Sequence, residues 1–408
     1  MELADVDRLV SGEGWGLLQS LPPYDESTAL ALGSRLRAAG FDAALVAAAL
    51  SQSRLRARAA AKFGEFAGAM LFTPDGLEQA TRLEVAARHA ERFRSAGVRT
   101  VHDLGCGIGS DAMALAGLDL HVDAVDADEV TAAVAGVNLR HWPEATTAVG
   151  RAEDVPLPRG RRAQHVGAWL DPARRLPGVH DAAGRTRRVF ALSAMSPSWQ
   201  TVKDIAERLP ATAAKLSPAF PHSQVPAGAE AQWTSYGGEV VECTLWWGPL
   251  TATPGRSAMV LAPGRPAVTV RESDSVVVVP CARHASDLQT WLYEPDRAVL
   301  RAGLTGALTS MTGGVELDPG VGYVTSDAMV DVPYAKRFLI GEAMPFNVKA
   351  LRAWLRDRDV GNLTVKKRGV FLDADVLRRQ LRLTGSQAQL MVVTRVAGQQ
   401  TALMVRPA

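Results

Sequence analysis

Cysteine is scarce in this chain, with three in 408 residues: Cys106, Cys243 and Cys281, all far apart. So odd and sparse a set excludes a disulfide framework and has no zinc-ligand spacing, so no metal is expected and the reducing cytoplasm is the expected location. Long apolar runs are also missing. None reaches the about 18 residues that span a bilayer, so no membrane partner is expected. The opening MELADVDRLVSGEGW has no basic stretch followed by an apolar one, which argues against a secretory leader. Charge of one sign is lacking too. The 45 Lys and Arg offset 43 Asp and Glu to leave +2, so any polyanion has to be met by a local patch. With 47% apolar and 22% charged residues the chain is globular, and its length suits two or three domains. Composition leaves the oligomeric state open.

Residues 1–93 are rich in Ala, Leu and Arg at helical spacing, and predict a helical N-terminal domain. Helices are expected over Glu26–Leu36, Ala43–Phe63 and Leu77–Arg94, the last entered through Thr73 as N-cap with Pro74 at its first position. From residue 94 to 265 short apolar runs (VRTVHDL, LHVDAVDA, TAVG, HVGAWLD, RVFALSAM, TAAKLSP) interleave with helical stretches, the signature of parallel βαβ units in a doubly wound α/β sheet. Gly237-Gly238 between two alternating runs predicts a closing antiparallel hairpin, and RSAMVLA one further strand. Residues 266–333 read as a connecting region with a helix near Asp296–Leu308. Residues 334–408 read as a separate small α+β domain.

The strongest motif is Asp103-Leu104-Gly105-Cys106-Gly107-Ile108-Gly109, between a strand and a helix. Glycines 105, 107 and 109 let the backbone turn sharply and approach a ligand. A dinucleotide loop favours a phosphate, whereas Asp103 would repel one and suits a cationic group. Asp126, with Ala127 beside it, ends the second strand about 20 residues on and can accept both hydroxyls of a ribose. After the third strand Glu153 and Asp154 offer a carboxylate for an adenine amine, Asp154 being the preferred one. Amino group at Asp103, ribose at Asp126 and adenine at Asp154 together suit S-adenosyl-L-methionine. DLGCGIG, the acidic end of strand two and the terminal hairpin resemble a class I S-adenosylmethionine-dependent methyltransferase over about residues 99–262. The resemblance implies a seven-stranded Rossmann-like sheet ending in a reversed hairpin.

In such a sheet chemistry is expected where the fourth strand ends, here Asp171-Pro172-Ala173-Arg174-Arg175. This resembles the Asp-Pro-Pro-aromatic tetrad of amino-methylating nucleic-acid enzymes, with Asp171 and Pro172 kept and Ala173 and Arg174 in place of the rest. The resemblance implies that Asp171 and the Pro172 carbonyl hold a target amine, while Arg174 and Arg175 can stack on a base or meet a phosphate. Trp199 is a candidate for the missing stacking ring. DPAR is also close to the DPPR of 5-methyluridine enzymes, but no cysteine follows the fifth strand to serve as their nucleophile.

The tail carries the local charge. Residues 334–408 hold fourteen Lys and Arg against five Asp and Glu, a net +9 that leaves −7 for the remainder. Such asymmetry fits a polyanion, and Lys366-Lys367-Arg368 sets a basic triplet at a strand end. Arg159, Arg161, Arg162, Arg174 and Arg175, with Arg185, Arg187 and Arg188, add a second basic cluster. Through AKRF, MPFN and LTVKKRG the tail resembles the THUMP-like domain fused to bacterial methyltransferases, which implies RNA binding. The expected activity is transfer of a methyl group to a base nitrogen of tRNA or rRNA. A small-molecule or protein methyltransferase, or a catalytically idle RNA-binding protein, stands as the alternative.

Overall fold

The computed structural model describes residues 1–172, 175–180, 186–188, 192 and 195–408, with 175–180 and 186–188 described as backbone only. Six helices come first: α1 (Leu3–Val10), α2 (Gly12–Ser20), α3 (Ala29–Ala38), α4 (Ala43–Phe63), α5 (Pro74–Gln79) and α6 (Leu83–Ser95). The α4 span is the expected one, capped by Asp42, which accepts from the Leu45 amide at 2.9 Å. α3 starts three residues later than expected because the Asp25 carboxylate takes the Ser27 amide and hydroxyl, holding a turn where a helix would begin. The helix expected over Leu77–Arg94 is two. Thr73 does cap α5, accepting from the Gly76 amide. The Lys62 ammonium then takes the carbonyls of Leu77, Glu78 and Ala80, which satisfies that helix end and lets residues 80–82 turn. α1 and α2 were not legible, their periodicity being interrupted by Ser11, Gly12, Gly14 and Gly16.

One sheet has nine strands: β1 (Thr100–Leu104), β2 (His121–Asp126), β3 (Ala145–Val149), β4 (Val166–Leu170), β5 (Ala211–Leu216), β6 (Glu230–Tyr236), β7 (Glu239–Trp246), β8 (Gly255–Leu261) and β9 (Val268–Arg271). Their order is β9-β8-β6-β7-β5-β4-β1-β2-β3. The pairs β3–β2, β2–β1, β1–β4 and β4–β5 are parallel. β6 and β7 are joined by the Gly237-Gly238 turn, both at positive φ, as a two-residue hairpin requires. β8 and β9 are antiparallel, so the Pro and Gly of 262–266 form a turn within a sheet rather than a domain boundary. Proline and glycine mark turns and linkers alike, and only the pairing of β9 separates the two. A small antiparallel pair, Arg175–His180 with Thr186–Arg188, was not anticipated. Most of the RVFALSAM stretch lies outside the described residues.

By compactness the chain divides into two units. The first is Met1–Ser217 with Pro226–Glu230 and Thr244–Pro254; the second is Pro218–Val225, Ala231–Cys243 and Gly255–Ala408. This differs from the four-part expectation. In the first unit an apolar core packs residues of the N-terminal segment such as Leu9, Phe63 and Phe72 with Val101, Val122 and Trp169 of the strands. In the second unit a further sheet is built from β10 (Trp291–Pro295), β11 (Val315–Glu316), β12 (Val324–Ser326), β13 (Ala335–Pro345), β14 (Val360–Lys367), β15 (Gln387–Val396) and β16 (Gln399–Pro407), ordered β11-β12-β10-β13-β16-β15-β14. Residues 266–333 therefore supply three of its strands and do not form a connector.

Candidate functional site

β1 is paired along both edges with parallel neighbours, and Val101, Asp103 and Leu104 are buried. The chain leaves it through Gly105, at φ +92°, and the amides of Gly105 and Cys106 both donate to the Val125 carbonyl, fastening the loop to the end of β2. A Cβ on Gly105 would sit 3.0 Å from the Asp171 carbonyl oxygen, so a side chain here would push away the end of β4. The Gly107 amide donates to Asp126 Oδ2 at 3.0 Å, and the Asp128 amide to Oδ1 at 3.0 Å. Gly109, left-handed, precedes the helix α7 (Ser110–Ala116), every residue of which is buried.

Asp103 is the exceptional group. It is 1% exposed, and neither carboxylate oxygen has a hydrogen-bond partner. Burial, then the negative charges of Asp111 and Asp171, push its carboxyl well above the usual range. Burial also raises Asp126, though less, because the two amides stabilise its charge. Ala127, Glu153 and Asp154 are exposed, the last two on the short turn Ala152–Asp154 after β3. The Gly150 amide, bonded to the Asp126 carbonyl, keeps that turn beside β2. The residues assigned from sequence to the cofactor thus come from the ends of three adjacent strands.

Asp171 follows β4, and its amide donates to the Leu104 carbonyl. Its carboxylate forms an ion pair with Lys215 of β5, an ammonium 5% exposed. From Lys215 a chain of buried polar groups runs inward. Lys215 Nζ donates to Thr81 Oγ1 at 2.9 Å, Thr81 donates to Asp111 Oδ2 at 2.7 Å, and Asp111 Oδ1 meets His89 Nδ1 at 2.8 Å. Burial alone would raise Asp111, but His89, Lys215 and Thr81 outweigh it and hold its carboxyl below the usual value. The His89 ring packs against Trp169 with centroids 4.4 Å apart. His89, Asp111 and Lys215 carried no role in the sequence reading. A lone lysine inside the apolar run TAAKLSP was a usable signal, since lysine is almost never buried unless paired. His89 gave none.

Pro172 is buried behind Asp171, while Arg174 lies outside the described residues. Arg175 opens the small antiparallel pair, and Trp199 sits half-buried at the first position of α8 (Trp199–Arg208), capped by Ser198. In the second unit the basic triplet is engaged internally. Lys366 and Arg368 share the Glu294 carboxylate, Arg368 also lies over the Tyr323 ring at 4.5 Å, and Lys367 donates to the Leu372 carbonyl. Among the described residues no cluster of His, Cys, Asp and Glu could hold a metal, and no helix is long and apolar enough to cross a membrane.

The family profile described as THUMP domain-like matches residues 335–407, and a domain of unknown function matches residues 2–59. Two curated proteins from Mycobacterium tuberculosis, strains CDC 1551 / Oshkosh and ATCC 25618 / H37Rv, are 32% identical over 84% of this chain and 90% of their own length. Both are described as uncharacterized S-adenosylmethionine-dependent methyltransferases. A solved structure from Porphyromonas gingivalis W83, provisionally called a methyltransferase, superposes with a TM-score of 0.71 at 19% identity, covering 95% of this chain and all of that one. That likeness shows the fold, a large mixed sheet flanked by helices as in methyltransferases, and the mycobacterial relatives show the cofactor and the reaction. The chain belongs to the S-adenosylmethionine-dependent methyltransferases.

Proposed function

We propose that the protein methylates a nitrogen of a base in structured RNA, tRNA or rRNA, with Asp171 holding the acceptor. We read β1 to β7, in the order 3-2-1-4-5-7-6, as its doubly wound seven-stranded core, with β8 and β9 added at the edge. The observation that carries the reading is the Lys215-paired carboxylate of Asp171, set beside the Gly105 turn and close to the unpartnered Asp103.

Asp103 fits the cofactor's ammonium, the one group that would relieve two buried, unbonded carboxylate oxygens. Asp126 keeps lone pairs for ribose hydroxyls beyond the two amides it accepts, and the exposed Asp154 would take the adenine amine. Bound there, S-adenosylmethionine supplies a methyl group on a positively charged sulfur, open to in-line displacement. Asp171 accepts an N–H from the base, which aims the nitrogen lone pair, and takes the proton released once the N–C bond forms. Lys215 fixes the carboxylate through their ion pair. Cys106, the thiol within the loop, is buried and its pKa is raised by that burial, which suits it poorly to covalent attack on a pyrimidine carbon.

The RNA assignment rests on the tail's net +9 and its THUMP-like character. Mass spectrometry of nucleosides from a strain lacking the gene, against its parent, tests it. One methylated base should vanish and return with the wild-type gene, but not with Asp171→Ala. That variant should lose at least about a hundredfold in turnover while binding cofactor normally. An unchanged nucleoside profile would refute the RNA reading.

A further inference from the structure

We propose that the turn from Gly369 to Leu372 is a base-stacking site, with the Phe371 ring as the platform for an unpaired RNA base. The proposal rests on the RNA reading above and names where the tail takes hold of that RNA.

Phe371 is fully exposed, yet its loop is anchored at both ends. Val370 and Leu372, the residues on either side, pack onto the core that includes Leu363, Leu377 and Leu381. Gly369 adopts φ +71° with the Val321 side chain only 2.8 Å from where a Cβ would lie, so the backbone is held close to that residue at the start of the turn. The Lys367 ammonium holds the Leu372 carbonyl, and the Asp373 side chain caps the following helix, accepting from the Asp375 and Val376 amides. Two flanking side chains point inward and the aromatic one points out. Its exposure is a property of a fixed turn, not of a loose loop.

Isolated apolar side chains on a surface are ordinary, and a protein partner would ask for a contiguous apolar patch around the ring. Here the flanking apolar groups are half-buried against that core, and the charged neighbours are Lys366, Lys367 and Arg368 before the turn and Asp373 after it. Lys366 and Arg368 share the Glu294 carboxylate and Asp373 offsets part of the charge of Lys367, so the triplet with these two acids keeps a net charge of +1. A rigid π-face next to net positive charge, in a block of net +9, suits a stacked base with its phosphates alongside. The triplet predicted to bind phosphate then has a double task. Lys366 and Arg368 brace the end of β14 through Glu294, and Lys367 supports the turn that presents the ring.

The test uses the full chain and fluorescence anisotropy with two labelled probes, a twelve-nucleotide single-stranded RNA and the blunt duplex of the same length. Phe371→Ala should weaken single-strand binding about tenfold, leave duplex binding unchanged and leave the salt dependence of affinity as it was, because stacking releases no counterions. Phe371→Trp should restore the loss. A Phe371→Ala variant that binds both probes like wild type would overturn the proposal and assign the ring to a protein contact, while salt-dependent binding left intact would keep the RNA reading. A wild-type chain that binds neither probe would overturn both.

Discussion

At the scale of single residues, Asp103 sets stability against function. Its carboxyl is raised far above the value of about 3.8 it has in an unfolded chain, chiefly by burial. Ionising it inside the fold therefore costs free energy. The contribution of this group is most favourable below the unfolded pKa, and stability falls as pH rises through the higher folded value. The cofactor's ammonium would offset that cost, so cofactor binding near neutral pH should expel a proton, seen in calorimetry as a heat that varies with the buffer. Asp103→Asn removes the charge and keeps the shape. Without cofactor its melting temperature at pH 7 should rise, by about 2–4 °C for each kcal/mol relieved, and its dependence on pH should flatten. Cofactor affinity should fall at least about tenfold, the value of one charge-assisted hydrogen bond. A variant that melts below wild type at every pH would mean that the carboxyl is satisfied in the fold.

At the scale of elements, the site depends on where strands end. β4 and β5 pair in register from Gly167–Ala211 to Leu170–Ala214, which brings the next residues of each, Asp171 and Lys215, side by side. The break between α5 and α6 brings Thr81 to the same point. Lys215→Met should cut turnover by at least about tenfold and leave cofactor affinity within about threefold, since it removes the brace on Asp171 and no assigned cofactor contact. It should also cost about 3–5 kcal/mol of stability, because the buried Asp111 loses a nearby cation. Lys215→Arg, which keeps the charge, should recover much of the stability but less of the activity, and equal recovery of both would make the role purely structural. This element was half legible. The glycines and the acids at the ends of β1, β2 and β4 could be read because local chemistry demands them there. The relay was hidden, since Thr81 and His89 lie 134 and 126 residues before Lys215 and only the folded sheet brings them together. The same limit explains the helix expected through residues 80–82, where propensity was continuous and the interruption comes from Lys62 on another helix.

At the scale of the whole chain, the tail is legible as elements but not as a separable domain. Its strands and both helices, α11 (Val348–Asp357) and α12 (Ala374–Leu381), fall where periodicity puts them, whereas the single helix expected over Asp296–Leu308 is two, α9 (Arg297–Arg301) and α10 (Thr305–Thr312), parted at Gly303 with its φ of +72°. What sequence did not reveal is that β13 pairs with β10 across Trp291–Leu339 to Pro295–Ala335. Removing residues from Ala335 onward would strip four of the seven strands of this sheet and bare Leu292 and Tyr293, so loss of RNA binding by that truncation would only report unfolding. Surface charge gives a cleaner test. On α11 the buried Leu351 and Leu355 face the core, while Lys349, Arg352 and Arg356, three and four residues apart, share the exposed side. Replacing all three with Gln should leave the melting temperature within about 2 °C, as expected for exposed positions. It should also lower the slope of log affinity for tRNA against log salt by about two to three, since each phosphate contact contributes roughly 0.7–0.9. An unchanged slope would remove this helix from the interface and leave the +9 of the tail as a solvated face.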